Sequence, residues 1–327
     1  MNAVIGKLLH SASVPVMPIM THPGIELIGR RVIDAVTDGQ VHSDAVLALR
    51  KAYPQPVAST TIMDLSVEAQ AFGAEIVFED DSVPTVSGRL LCSAQDVGDL
   101  GIPELDRGRL PEYLKAIRLT VPELDVPLFG GCIGPFSLAG RLYDMTELMM
   151  AMYIEPETAH ALLRKCTDFL TDYAKAIKEA GAAGVVMAEP AAGLLSDTDC
   201  MQYSSAYVKE IVDTVQDDGF AVILHNCGNQ GQCTESMIAT GAAALHFGNA
   251  VDMAGVLDLV PADIAVMGNV DPVGIMKMGT PEQVREAVMN LKAIASGHKN
   301  FVLSTGCDVP PAAPEANIAA FYDAAGL

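Results

Sequence analysis

Short apolar runs recur along the chain, and stretches of helical period separate many of them. The runs lie at 14–20 (VPVMPIM), 56–63 (PVASTTIM), 126–133 (VPLFGGCI), 184–189 (GVVMAE), 221–227 (AVILHNC), 243–248 (AALHFG), 264–270 (IAVMGNV) and 301–307 (FVLSTGC). Most are nearly continuous in apolar residues. Such runs predict strands buried on both faces, hence a parallel sheet covered by helices. The stretches between them have the other period. Thr280-Pro281-Glu282-Gln283 is a capping box with proline at the first helical position, and Val284, Val288, Leu291 and Ile294 follow at helical spacing up to Gly297. A second helix is predicted from about Pro156 to Ala180. Leu162, Cys166, Phe169, Tyr173 and Ile177 form its stripe, and Gly181 ends it.

Eight βα units in 327 residues predict an α/β fold: one (β/α)8 TIM barrel over residues 1–327, with additional N-terminal helices. A doubly wound open sheet is the alternative, but no GxGxxG opens a first βα turn. Residues 79–125 have neither period and are expected to form a flap or a small hairpin.

In a barrel the chemistry gathers at the C-terminal ends of the strands. Asp64 follows the second run, Cys132 ends the third and Glu189 the fourth. His225 and Cys227 end the fifth, Asn269 and Asp271 the seventh, and Cys307 the eighth. Residues two apart on a strand share a face, so His225 and Cys227 can converge on one ion, with Cys307 arriving from another strand. One imidazole and two thiolates suit Zn²⁺, and three protein ligands leave a position open, as catalytic zinc requires. The chain has no CxxC knuckle of the structural kind. The competing reading is an accidental HxC with cysteines that serve as small buried hydrophobes.

Composition narrows the function classes. The chain is 50% hydrophobic and 19% charged, so it is globular. A net charge of −21 argues against nucleic acid and anionic membranes as partners. No apolar run reaches a membrane span, and the first residues make a poor signal peptide. Seven cysteines without paired spacing point to a reduced, cytoplasmic setting.

Several segments resemble the uroporphyrinogen decarboxylase superfamily over nearly the whole chain: MDLSVEAQAFGAEIVFEDDSVPTV (63–86), GGCIGPFSLAG (130–140) and GNVDP (268–272). The chain departs from true decarboxylases at MPIMTHPGIELIGR (17–30), which lacks their paired arginines in register, and at STGCDVPP, where Cys307 stands in place of a histidine. HNCG followed by TGC instead resembles the cobalamin-dependent, methylcobamide:coenzyme M methyltransferase-like branch. That resemblance implies zinc on His225, Cys227 and Cys307. It also implies methyl transfer between a corrinoid (methylcobamide), carried on a corrinoid protein, and a small thiol such as coenzyme M. A porphyrinogen decarboxylase and a non-catalytic corrinoid-binding module are the alternatives.

By the same resemblance Asp64 stands near the substrate, with helix capping as its competing role. Glu189 is a candidate zinc ligand or base, or else a capping or hydrogen-bonding group. His22 is a candidate contact for substrate or corrinoid. Asn269 and Asp271 are expected behind the metal ligands or in a turn beside the cofactor. His246 reads as a satisfied barrel histidine, and Cys233 is not expected to bind metal. In the coenzyme M-type enzymes a carboxylate usually lies near the metal after the sixth strand. Here HFGNAVDM (246–253) offers only Gly248 and Asn249, so water or a group such as Glu189 is expected at the fourth position.

Overall fold

A computed structural model describes residues 1–10 and 14–326. Strand β1 is Ser59–Thr60; β2 (Glu75–Glu79) and β3 (Ser82–Ser87) form a separate antiparallel hairpin. Strands β4 (Leu128–Ile133), β5 (Gly184–Ala188), β6 (Ala221–Asn226), β7 (Ala244–Phe247), β8 (Ala265–Val270) and β9 (Phe301–Thr305) join β1 in a curled, seven-stranded parallel sheet, ordered β1-β4-β5-β6-β7-β8-β9. The helices at Pro156–Glu179 and Pro281–Ile294 lie where periodicity places them, the second with its capping box formed. Among the described residues no helix is long and apolar enough to cross a membrane.

The run at 14–20 departs from expectation, because it makes an isolated parallel bridge instead of a strand. Met17 N–H donates to the Leu303 carbonyl (2.9 Å), and Leu303 N–H donates to the Pro15 carbonyl (2.9 Å). On its other side Val57 N–H donates to the Val16 carbonyl (2.9 Å). Pro15 and Pro18 have no N–H to give, so the ladder cannot propagate. The second run is likewise cut to two residues. The irregular stretch after it does contain the expected hairpin, which starts four residues earlier, at Glu75.

Alternation within the strands divides the core into two layers. On β6, Val222 and Leu224 pack outward against helices, whereas Ala221 and Ile223 face an inner cluster with Phe129, Val186, Ala244, Ala265, Met267 and Val302. With a side-chain period of two, the inward direction continues from Ile223 to His225, from Ala244 to His246, from Met267 to Asn269 and from Val302 to Ser304. The apolar interior therefore gives way to polar side chains at one end, the C-terminal edge of the sheet.

Candidate metal centre

At that edge the ligand atoms of His225, Cys227 and Cys307 all lie within 4.8 Å of one another. His225 is buried and the two cysteines are half-buried. The two thiols lie close together, and each is the largest influence on the other, holding the Cys227 thiol below its ordinary pKa and pushing Cys307 upward. A divalent cation reverses this logic, since metal ligation requires the thiolate and displaces its proton.

Glycine lets the ligand-bearing segments approach. A Cβ at Gly248 would lie 2.7 Å from the Cys227 carbonyl oxygen, which no side chain tolerates. The segment after β7 therefore packs directly against the first cysteine loop, and a carboxylate at position 248 is sterically forbidden.

His225 Nδ1 lies 2.8 Å from Nδ1 of His246 on the adjacent strand, where the two residues are paired in register. His246 Nε2 lies 2.8 Å from Ser304 Oγ on β9. Ser304 Oγ–H donates to the Met17 carbonyl (2.7 Å). Burial, and then the neighbouring His225, hold His246 well below the ordinary histidine pKa, so it is neutral.

Three potential metal-binding side chains thus converge at the C-terminal edge of a parallel sheet. The uroporphyrinogen decarboxylase family profile matches residues 10–326. The chain belongs to the uroporphyrinogen decarboxylase family. It falls in the methyltransferase branch. It is 32% identical over 260 residues to the methylcobamide:CoM methyltransferase MtbA of Methanosarcina acetivorans, covering 78% of this chain and 75% of that one. It is also 29% identical over 290 residues to the uroporphyrinogen decarboxylase of Vibrio campbellii, covering 84% and 80%. A solved methyltransferase from Methanosarcina mazei shares the fold, with a TM-score of 0.88 at 24% identity over 98% of this chain and 95% of that one.

In this family member the other candidates do not join His225, Cys227 and Cys307. Both Asp64 oxygens are engaged. One accepts from Ser66 N–H (2.9 Å) and Ser66 Oγ–H (2.6 Å); the other accepts from Tyr113 O–H (3.0 Å) and from the Arg109 guanidinium. Arg109 also donates to Gln70 and Ser66, and it is the only lysine or arginine among the buried described residues. Asp64 thus belongs to a saturated buried ion pair.

Glu189 points to the outer side of the sheet. It accepts from Phe136 N–H (2.9 Å) and, at 3.3 Å each, from the hydroxyls of Ser137 and Ser204. Glycine at 134 leaves the space its carboxyl fills. Burial raises its pKa to about 8, so at neutral pH it is mostly the neutral acid. Glu68, overlooked by sequence reasoning, is also raised to about 8 by burial.

His22 does reach the ligand-bearing loop. Its Nε2 lies 3.5 Å from Asp308, the residue after Cys307, and Thr21 Oγ–H donates to the same oxygen (3.3 Å). Asn269 donates to the Gly248 and Val251 carbonyls, both at 2.9 Å, and so holds the segment that packs on Cys227. Asp271 accepts from Val273 and Gly274 N–H (2.9 Å each), a capping role. Ser304 and Asp308 escaped sequence reasoning, and His246 was read only as a satisfied barrel histidine. For His246 and Ser304 the available signal was polarity at inward positions of apolar strands.

Proposed function

We propose that this protein is a zinc-dependent methyltransferase that moves a methyl group between a corrinoid and a small thiol. The observation that carries the reading is the convergence of His225, Cys227 and Cys307 from β6 and the end of β9, with no fourth protein ligand in the cluster among the described residues. The donor set fits zinc: one imidazole and two sulfurs with ligating atoms close enough to share one ion. Zinc held there would supply a Lewis acid with an open position, at which an incoming thiol gives up its proton near neutral pH.

The chain's own residues would do the rest. His225, Cys227 and Cys307 hold the ion at the rim of an apolar interior. Asn269 and Gly248 keep the Cys227 loop in place. The substrate thiolate attacks the methyl carbon; the carbon–sulfur bond forms, the carbon–cobalt bond breaks, and the bonding pair stays on cobalt. Proximity and desolvation at the strand ends supply the orientation. His22, which contacts Asp308 beside Cys307, would be the contact for substrate or corrinoid.

A methylated corrinoid protein as donor and coenzyme M as thiol follow the named activity of the MtbA relatives. Closure of the sheet by the 14–20 segment into a single barrel domain, and a cytoplasmic setting, belong to the same reading. Decarboxylation of a porphyrinogen is disfavoured, because the one buried arginine among the described residues is already committed to Asp64, Ser66 and Gln70 and carboxylates buried without cations are costly. The test is a thiol panel with methylcobalamin and the purified zinc-loaded protein. Thiol-dependent demethylation is expected, and its loss in Cys307→Ser. Conversion of uroporphyrinogen to coproporphyrinogen would overturn the reading.

A further inference from the structure

The contacts His225–His246, His246–Ser304 and Ser304–Met17 form a chain that ends on a backbone carbonyl, and that end decides every proton along it. A carbonyl oxygen only accepts. Ser304 has one hydroxyl hydrogen, and at 2.7 Å from the Met17 carbonyl it must spend that hydrogen there. Toward His246 Nε2, 2.8 Å away, the serine oxygen can then only accept. His246 therefore carries its proton on Nε2. A second proton on this buried ring would make a cation whose partners are a hydroxyl and another imidazole, with no carboxylate among them. Its Nδ1 is thus a lone pair. Across the 2.8 Å contact, His225 must donate from Nδ1. What remains on His225 is a bare Nε2, the form a metal ligand needs.

We propose that His246 and Ser304 are positioning residues that lock His225 in the Nδ1–H tautomer and so present its Nε2 lone pair to the metal. The inference rests on the reading of His225 as a ligand. It adds a structural consequence: the acceptor that anchors the relay, the Met17 carbonyl, comes from the proline-flanked segment that never becomes a strand. Met17 N–H donates to Leu303 while its carbonyl accepts from Ser304, so this short bridge holds the final acceptor in register. Proton order at the metal ligand thereby depends on the seating of the N-terminal segment against β9. A hydroxyl at 304 is required, and threonine can supply it; alanine cannot.

The experiment uses the full chain and needs no turnover. Imidazole ¹⁵N spectra of the metal-free protein report which nitrogen of each ring carries hydrogen. The expected result is a bare Nε2 on His225 and a protonated Nε2 on His246. Ser304→Ala should blur both assignments into mixed tautomers, and Ser304→Thr should restore them. Zinc affinity, read by competition with a chromophoric chelator, should fall roughly 10–100-fold in Ser304→Ala and His246→Ala and stay near wild type in Ser304→Thr. Because His246→Ala can also open a cavity, the Ser304 pair carries the test. A protonated Nε2 on His225 in the wild type, or unchanged zinc affinity in a folded Ser304→Ala protein, overturns the relay. Tautomers as assigned in a protein that binds no zinc would support the proton order and defeat the metal reading instead.

Discussion

Gly248 and Cys227 touch backbone to backbone: a Cβ on the glycine would sit 2.7 Å from the cysteine's carbonyl oxygen and 2.8 Å from its Cα. A residue just past the end of the strand beside the HxC motif thus sets how closely two site-forming loops approach. Gly248→Ala is expected to push the Cys227 loop outward and weaken zinc binding at least tenfold while the far-ultraviolet circular dichroism stays native. Gly248→Asp, although it adds a carboxylate, should weaken it further. Tighter zinc binding in the aspartate variant would show that the loop yields and that the acid can ligate.

Loss of one sulfur should empty the site. Elemental analysis is expected to find one zinc per wild-type chain and little in Cys307→Ser, since a serine hydroxyl is a poor ligand at neutral pH. Equal metal in both proteins would remove Cys307 from the ligand set.

Thiol binding should release roughly one proton near neutral pH, because a coordinating thiol is deprotonated by the metal. Calorimetry of the zinc protein in buffers of different ionisation enthalpy measures it directly. Binding of an accepted thiol without proton release would make the metal structural.

The Asp64–Arg109 pair is expected to matter for stability. Asp64→Ala leaves a buried guanidinium without its carboxylate, and Arg109→Ala strands the acid together with Tyr113; each should cost about 3–5 kcal/mol. Urea denaturation reads this out. An Asp64→Ala protein as stable as wild type but lacking activity would restore Asp64 to a catalytic role.

Two buried acids give the protein a pH signature. Glu68 and Glu189 have folded pKa values near 8 against an ordinary 4.5. A raised carboxyl pKa means that the folded state holds the proton more tightly. Its stabilising contribution is complete below about pH 4.5 and is lost as pH rises through about 8. Stability should therefore decline from pH 5 toward pH 9, and Glu189→Gln, which keeps an acceptor for Phe136 N–H, should flatten part of that slope. A slope unchanged in Glu189→Gln and in Glu68→Gln alike would mean that these acids are ionised in the folded protein.

The sequence by itself determined most of the scaffold and brought out the candidate metal ligands. Six runs become strands within a residue or two because near-continuous apolar composition is a local property with one good solution, burial on both faces. His225 and Cys227 were legible as a pair because the strand period puts them on one face, and Cys307 because its run ends in the same way. Tertiary structure decided what depends on partners distant in the chain. The 14–20 run looks like a strand, yet its two prolines limit it to a bridge on Leu303. Asp64 and Glu189 looked catalytic from their place after strands, but Arg109 and Tyr113 claim the first, and the Phe136 amide with Ser137 and Ser204 claims the second. His246 looked like a satisfied core residue, and it is satisfied; its partner is a metal-ligand candidate 21 positions earlier, and its proton is placed by a serine 58 positions later. Hydrogen-bond direction is a property of a closed network, and no local pattern encodes where that network ends.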